Sequence, residues 1–165
     1  MSTADPTSRQ PNPQFMEKAI ELSRTNMLAG AGGPFGAVVV KDGKIVGEGW
    51  NRVTSSNDPT AHAEVDAIRN ACKNLGTFEL KDCEIYTSCE PCPMCLAAIY
   101  WARIEHIYYG NTRDDAASID FDDEFLYREI IKPMPERAIP ITPFLRNKAL
   151  AVFKEWSEKT DRVQY

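Results

Sequence analysis

Cys92 and Cys95 stand three positions apart in "EPCPMCLAAI", residues 90 to 99, hemmed by prolines at the head of an apolar run. If "PMCLAAIYWAR" is a helix, an i, i+3 pair in its first turn points one way, and the helix dipole there favours thiolate over thiol. Two aligned thiolates need a cation, although a CxxC pair alone equally describes a redox couple or two small core residues. The other half of the chemistry is "TAHAEVDA": His62, one of two histidines in the chain, lies in the first turn of another expected helix, and Glu64 follows two residues later. Taken singly, His62 is a helix-end residue bonded to backbone and Glu64 a favourable charge near a helix start. One imidazole with two thiolates, however, makes three of zinc's four tetrahedral ligands and leaves one position for water, the form of a catalytic zinc site. A carboxylate beside such a metal but not on it can carry protons, and Glu64 fits that role.

The remaining cysteines have other uses. "CEPC" sets Cys89 in competition with Cys92, but Cys89 ends an expected strand on the far side of a proline-containing turn, and it is given no ligand role. Cys72 and Cys83 read as core residues.

These side chains need elements to hold them. Asn12 and Pro13 form a helix cap and first helical position, and Phe15, Met16, Ala19, Ile20 and Leu22 follow at helical spacing until Gly30. "FGAVVV", the pair Asp42-Gly43 and "KIVGEGWN" predict a β-hairpin. "TSSNDPT" reads as a loop, after which Val65, Ile68, Cys72 and Leu75 share one helical face until Gly76. "CEIYT", "PMCLAAIYWAR" and "EHIYYG" predict strand, helix, strand with a parallel pair, so the fold class is α/β. "FDDEFLYREII" predicts a short helix, Pro133, Pro135, Pro140 and Pro143 break up the next stretch, and Ala149, Val152, Phe153 and Trp156 line a last helix from Leu145.

At 165 residues the chain fits one domain able to bury a core without metal staples. The expected organisation is a disordered tail over residues 1–14 and a single domain over 15–165. With 24 acidic against 19 basic residues the net charge is −5, and no basic cluster exists to attract nucleic acid or an anionic membrane. The opening "MSTADPTSRQPNPQ" has neither the basic start nor the apolar stretch of a signal peptide, which points to the cytoplasm. Five cysteines in a reducing compartment are thiols or metal ligands before they are disulfides.

H-x-E followed by P-C-x-x-C is the signature of zinc-dependent nucleobase deaminases. The wider stretches "GGPFGAVVVKDG", "SNDPTAHAEVDAIRNACKNLG", "YTSCEPCPMCLAAIYWARI" and "FDDEFLYREI" resemble the guanine deaminases of the small cytidine deaminase-like type, over roughly residues 15 to 165. Plant guanosine deaminases are similar too. The resemblance implies a three-layer α/β/α sandwich with a five-stranded mixed sheet, a homodimer, and hydrolysis of guanine to xanthine and ammonia. It implies one zinc per subunit on His62, Cys92 and Cys95, with Glu64 shuttling protons. It further implies a substrate site of Asn51, Phe35, Ala63, Trp101 and Asp123, with Asp123 facing the departing amine. Tyr165 would close over the partner subunit's substrate, the segment from about 144 to 165 being exchanged between subunits. Without the resemblance, Asn51 reads as a turn residue, Phe35 and Trp101 as core aromatics, Asp123 as a helix-start charge and Tyr165 as a frayed end. Alternatives are a deaminase of guanosine or other aminopurines, a tRNA adenosine deaminase, which the net charge opposes, a cytosine or cytidine deaminase, and a zinc-stabilised binding module.

Overall fold

The structure, a computed structural model, describes residues 10–164. Residues 1–9 of the expected tail and Tyr165 lie outside the described residues. The chain forms two compact units, one ending at Asp123 and one beginning at Glu124.

The first unit opens with α1 (Pro13–Leu28), which starts inside the expected tail: Asn12 caps it by accepting from the Gln14 N–H at 3.0 Å, and Pro13 takes the first turn, where no N–H is needed. β1 (Gly36–Lys41) and β2 (Lys44–Trp50) make the expected hairpin. Asp42 and Gly43 both have positive φ, 50° and 71°, as a two-residue turn between twisted strands requires. β3 (Cys83–Cys89) pairs antiparallel with β1 and parallel with β4 (His106–Asn111), giving the order β2-β1-β3-β4.

Alternation along β1 splits the core between two faces. Val38 and Val40 join Ala19, Leu22 and Tyr86 under α1. Ala37 and Val39 face the other way, with Ile85, with Ala63, Ala67 and Ala71 of α3 (Ala63–Leu75), and with Ile99 of α4 (Pro93–Trp101). The sheet is thus covered on both faces. An alanine stripe at i, i+4, i+8 lets α3 lie directly on β2, and β2 has glycine where the backbones meet. A Cβ on Gly49 would stand 2.1 Å from the Ala63 carbonyl oxygen, and one on Gly47 2.3 Å from that of Ala67. That contact brings the end of β2 to the beginning of α3. Gly76, in the left-handed region at φ 65°, ends α3 as expected.

Three expectations are corrected. The mixed sheet has four strands among the described residues, not five. Beyond Asn111 the apolar stretch Ile139–Ile141 contains Pro140 and lies between Pro135 and Pro143, and proline has no N–H for a ladder. The loop "TSSNDPT" includes part of a one-turn helix, α2 (Val53–Ser56), too short to show any periodicity. His62 and Cys92 stand just before their helices and not in the first turn, because each is extended: φ −77°, ψ 156° at His62 and φ −65°, ψ 167° at Cys92. A short helix absent from the sequence reading, α5 (Arg113–Ala117), is closed by a capping box between Thr112 and Asp115.

The second unit contains α6 (Glu124–Ile131), a single 3-10 turn (Met134–Glu136) and α7 (Arg146–Glu158). Glu129 and Arg137 tie its first half together: the Glu129 carboxylate accepts from the Ala138 N–H at 2.7 Å, and Arg137 donates to the Ile130 carbonyl at 3.1 Å. No residue of α7 is buried, and Val152, Phe153 and Trp156 leave large apolar surface exposed. No described helix is long and apolar enough to cross a membrane.

Candidate active site

The site is built at two helix starts. His62 is the N-cap of α3 and Cys92 the N-cap of α4; the imidazole makes no capping bond to its own helix, while the Cys92 sulfur bonds Cys95 in the first turn of α4. Both turn toward one point. His62 Nδ1 lies 3.6 Å from Cys92 Sγ and 3.5 Å from Cys95 Sγ, and the three donor atoms all fall within 4.8 Å of one another. A nitrogen and a sulfur bound to zinc at about 2.0–2.1 Å and about 2.3 Å, around a tetrahedral centre, are separated by roughly 3.5–3.6 Å. The donor set fits zinc in type and in spacing.

The electrostatics agree. Cys92's thiol is lowered to about 4, first by its hydrogen bond with Cys95 and then by His62, while Cys95 is pushed up by the same shared proton and by burial. His62 is raised, chiefly by its bond with Cys92. A cluster that holds one thiolate without help, at the positive ends of two helices, is prepared for a cation.

Glu64, the second residue of α3, is 6% exposed and outside the cluster of three. Burial pushes its carboxyl up; the charge on Cys92 adds to the shift, and a hydrogen bond with Cys95 opposes it. Ala63 between them is fully buried, and as the first helical residue its N–H lies outside the helix's own ladder.

Asn51 follows β2 directly and is 7% exposed. Its Oδ1 accepts from the Gly33 N–H at 3.1 Å and the Val53 N–H at 3.3 Å, which fixes the amide's orientation and turns Nδ2 into the donor end. The Asn51 N–H donates to the Phe35 carbonyl at 3.0 Å, so the aromatic is adjacent. Phe35 in turn meets Phe121 edge to face, centroids 4.9 Å apart. Asp123 is partly buried, and its carboxyl is raised first by desolvation and next by the negative charge of Cys92, which brings it within electrostatic reach of the cluster. Trp101 closes α4 at the end opposite Cys92 and is 69% exposed. Cys89 is buried at the end of β3 and donates to the Thr112 carbonyl at 3.6 Å.

Sequence reasoning did not single out Gly33, whose N–H holds Asn51, although "GGP" marks a tight approach. It also passed over Arg52 and Asp66. The Arg52 Nε–H donates to Asp66 Oδ2 at 2.6 Å, and an acid one turn into α3 beside an arginine next to Asn51 is the only local signal of that pair.

A profile of the cytidine and deoxycytidylate deaminase zinc-binding region matches residues 9–111. The chain is 54% identical over 151 residues to the guanine deaminase of Bacillus subtilis strain 168, covering 92% of this chain and 97% of that one. The X-ray structure of guanine deaminase from Bacillus subtilis superposes with a TM-score of 0.91 at 52% identity, over 94% of this chain and 99% of that chain. A tRNA-specific adenosine deaminase of Agrobacterium fabrum is 46% identical over 103 residues, 62% of this chain and 68% of its own length.

Proposed function

This chain belongs to the zinc-binding family of cytidine and deoxycytidylate deaminases, and within that family we propose a guanine deaminase that hydrolyses guanine to xanthine and ammonia. The observation that carries the reading is reach: likeness to a guanine deaminase extends over 92% of the chain, and likeness to a tRNA adenosine deaminase over 62%. The net charge of −5 is also unsuited to a tRNA partner.

His62 Nδ1 and the sulfurs of Cys92 and Cys95 hold the metal. Zinc, when bound, supplies the Lewis acidity that makes a water nucleophilic near neutral pH. Glu64 takes a proton from the attacking water and delivers it toward the purine, and its burial gives the carboxyl enough proton affinity to hold that proton in transit. Asn51 Nδ2 donates to a ring acceptor of the purine, the Ala63 N–H offers a second donor, and Phe35 and Trp101 pack against the ring. Asp123 accepts the N–H bonds of the exocyclic amine and relays a proton to it. In balance, water's oxygen bonds to the purine carbon, the carbon–nitrogen bond breaks, and the amine leaves as ammonia.

A homodimer in the cytoplasm completes the proposal. The exposed apolar face of α7 supports a second copy as its cover, and the resemblance extends this to an exchanged C-terminal segment with Tyr165 closing the partner's site. Ammonia release measured against guanine, guanosine, adenine, adenosine, cytosine and cytidine tests the activity. Preference for a substrate other than guanine would overturn it.

A further inference from the structure

Asp66 is a buried carboxylate that the chemistry above does not use. It is 4% exposed, sits one turn into α3, and its backbone N–H donates to the His62 carbonyl at 3.0 Å. Its Oδ2 takes the Arg52 Nε–H at 2.6 Å, while Oδ1 has no hydrogen bond and lies 3.6 Å from the Arg69 guanidinium. Arg52 is the residue after Asn51, and its own N–H donates to the Ala61 carbonyl at 2.9 Å. The arginine is raised above its ordinary value, first by the bond to Asp66 and then by that group's charge.

Burying a carboxylate costs desolvation energy that an ion pair rarely returns as net stability, so such a pair is a poor device for simply holding a fold. Its position suggests another use. Two segments meet here: the end of β2, which carries Asn51, and the start of α3, which carries His62, Ala63 and Glu64. Arg52 binds the second segment twice, by backbone to Ala61 and by side chain to Asp66. The Asn51 side chain is set from the other side by the Gly33 and Val53 amides. We infer that Arg52 and Asp66 are positioning residues that fix the Asn51 amide relative to the Glu64 carboxylate, and so set how a purine is presented to the proton carrier. This inference rests on the purine-reading role proposed for Asn51.

The test uses the zinc-loaded enzyme with guanine as substrate. Arg52→Ala should keep zinc at the wild-type level and raise KM about tenfold, with kcat changed less than about threefold, because misplacing a binding group weakens presentation before it touches chemistry. Arg52→Lys, which keeps the charge, should recover part of that loss. If Arg52 acts through Asn51, the double variant Asn51→Ala/Arg52→Ala is no worse than Asn51→Ala alone. Amide hydrogen exchange gives a readout independent of turnover: the Gly33 and Val53 amides should exchange faster in Arg52→Ala, while that of Ala67 within α3 stays protected. Should Arg52→Ala fail to fold, Asp66→Asn, which preserves shape, is read by the same measurements. A KM within about twofold of wild type, losses that multiply in the double variant, or unchanged exchange at Gly33 and Val53 would each overturn the inference. If Asn51→Ala leaves KM unaltered, it is the purine-reading role that fails, and the exchange data alone then decide whether Arg52 positions Asn51.

Discussion

His62 and Cys92 occupy the same place in two different helices: each is an extended N-cap, and the two side chains meet at 3.6 Å. Side chains at that position ordinarily satisfy a first-turn N–H. Giving up that bond at His62 is the local cost of aiming its nitrogen at the two sulfurs.

Cys92→Ala removes one of three donors and should abolish stoichiometric zinc as well as activity. Metal content by atomic emission, with turnover on the same sample, checks this. An inactive variant that still holds full zinc would exclude Cys92 from the ligand set.

Glu64→Gln keeps the shape and removes the proton carrier proposed above. We expect zinc to remain and kcat to fall at least about 10²-fold, the lower end for general acid–base catalysis. Near-normal turnover would remove Glu64 from the proton path.

The same substitution has a signature in stability. Burial raises the Glu64 carboxyl above the usual carboxylate range, so in metal-free protein the folded chain keeps this proton over a pH window in which the unfolded chain has lost it. The stability contributed is full below the ordinary carboxylate pKa of about 4.3 and disappears as pH rises through the raised one. Glutamine has no such dependence. Urea unfolding of both metal-free proteins across a pH series that starts at about pH 4 should show a difference that grows in favour of Glu64→Gln as pH rises. A difference independent of pH would mean that Glu64 is not desolvated in the folded state.

Asp123→Asn should lower guanine turnover while zinc content and thermal unfolding stay at wild-type values, since Asp123 feels the charge of Cys92 but lies outside the ligand cluster. Unchanged activity would return it to a helix-start role ahead of α6.

Gly49→Ala tests the packing that sets the whole site. The new methyl would stand 2.1 Å from the Ala63 carbonyl, a backbone atom with no room to retreat, so a loss of about 1–3 kcal/mol or more is expected in chemical unfolding. Wild-type stability would show that α3 can slide along β2.

How much of the molecule is legible in the sequence depends on how locally each part is encoded. H-x-E and P-C-x-x-C each fit within one helix start, and the hairpin is written in Asp42-Gly43, so residue type and spacing suffice. Strand number is not local: a fifth strand is implied only by the resemblance, while this chain's own prolines deny it a ladder. α2 lacks length for any period to appear, and α5 is readable only as the capping box of Thr112 and Asp115. The Arg52–Asp66 pair joins positions 14 apart and has no pattern of its own. It becomes visible only once β2 lies on α3.

The sulfurs of Cys92 and Cys95 lie 30 and 33 positions along the chain from the His62 nitrogen. An ion gripped from both ends therefore closes a covalent-like ring around α3, β3 and the first turn of α4. A cross-link of that span restricts the unfolded chain by on the order of 3–4 kcal/mol on polymer grounds. A cation held by all three would then be a topological fastener as well as a reagent. A chain of this size does not need it in order to collapse, but stripping the metal should widen the unfolded ensemble and lower the resistance of the segment between the helices to proteolysis.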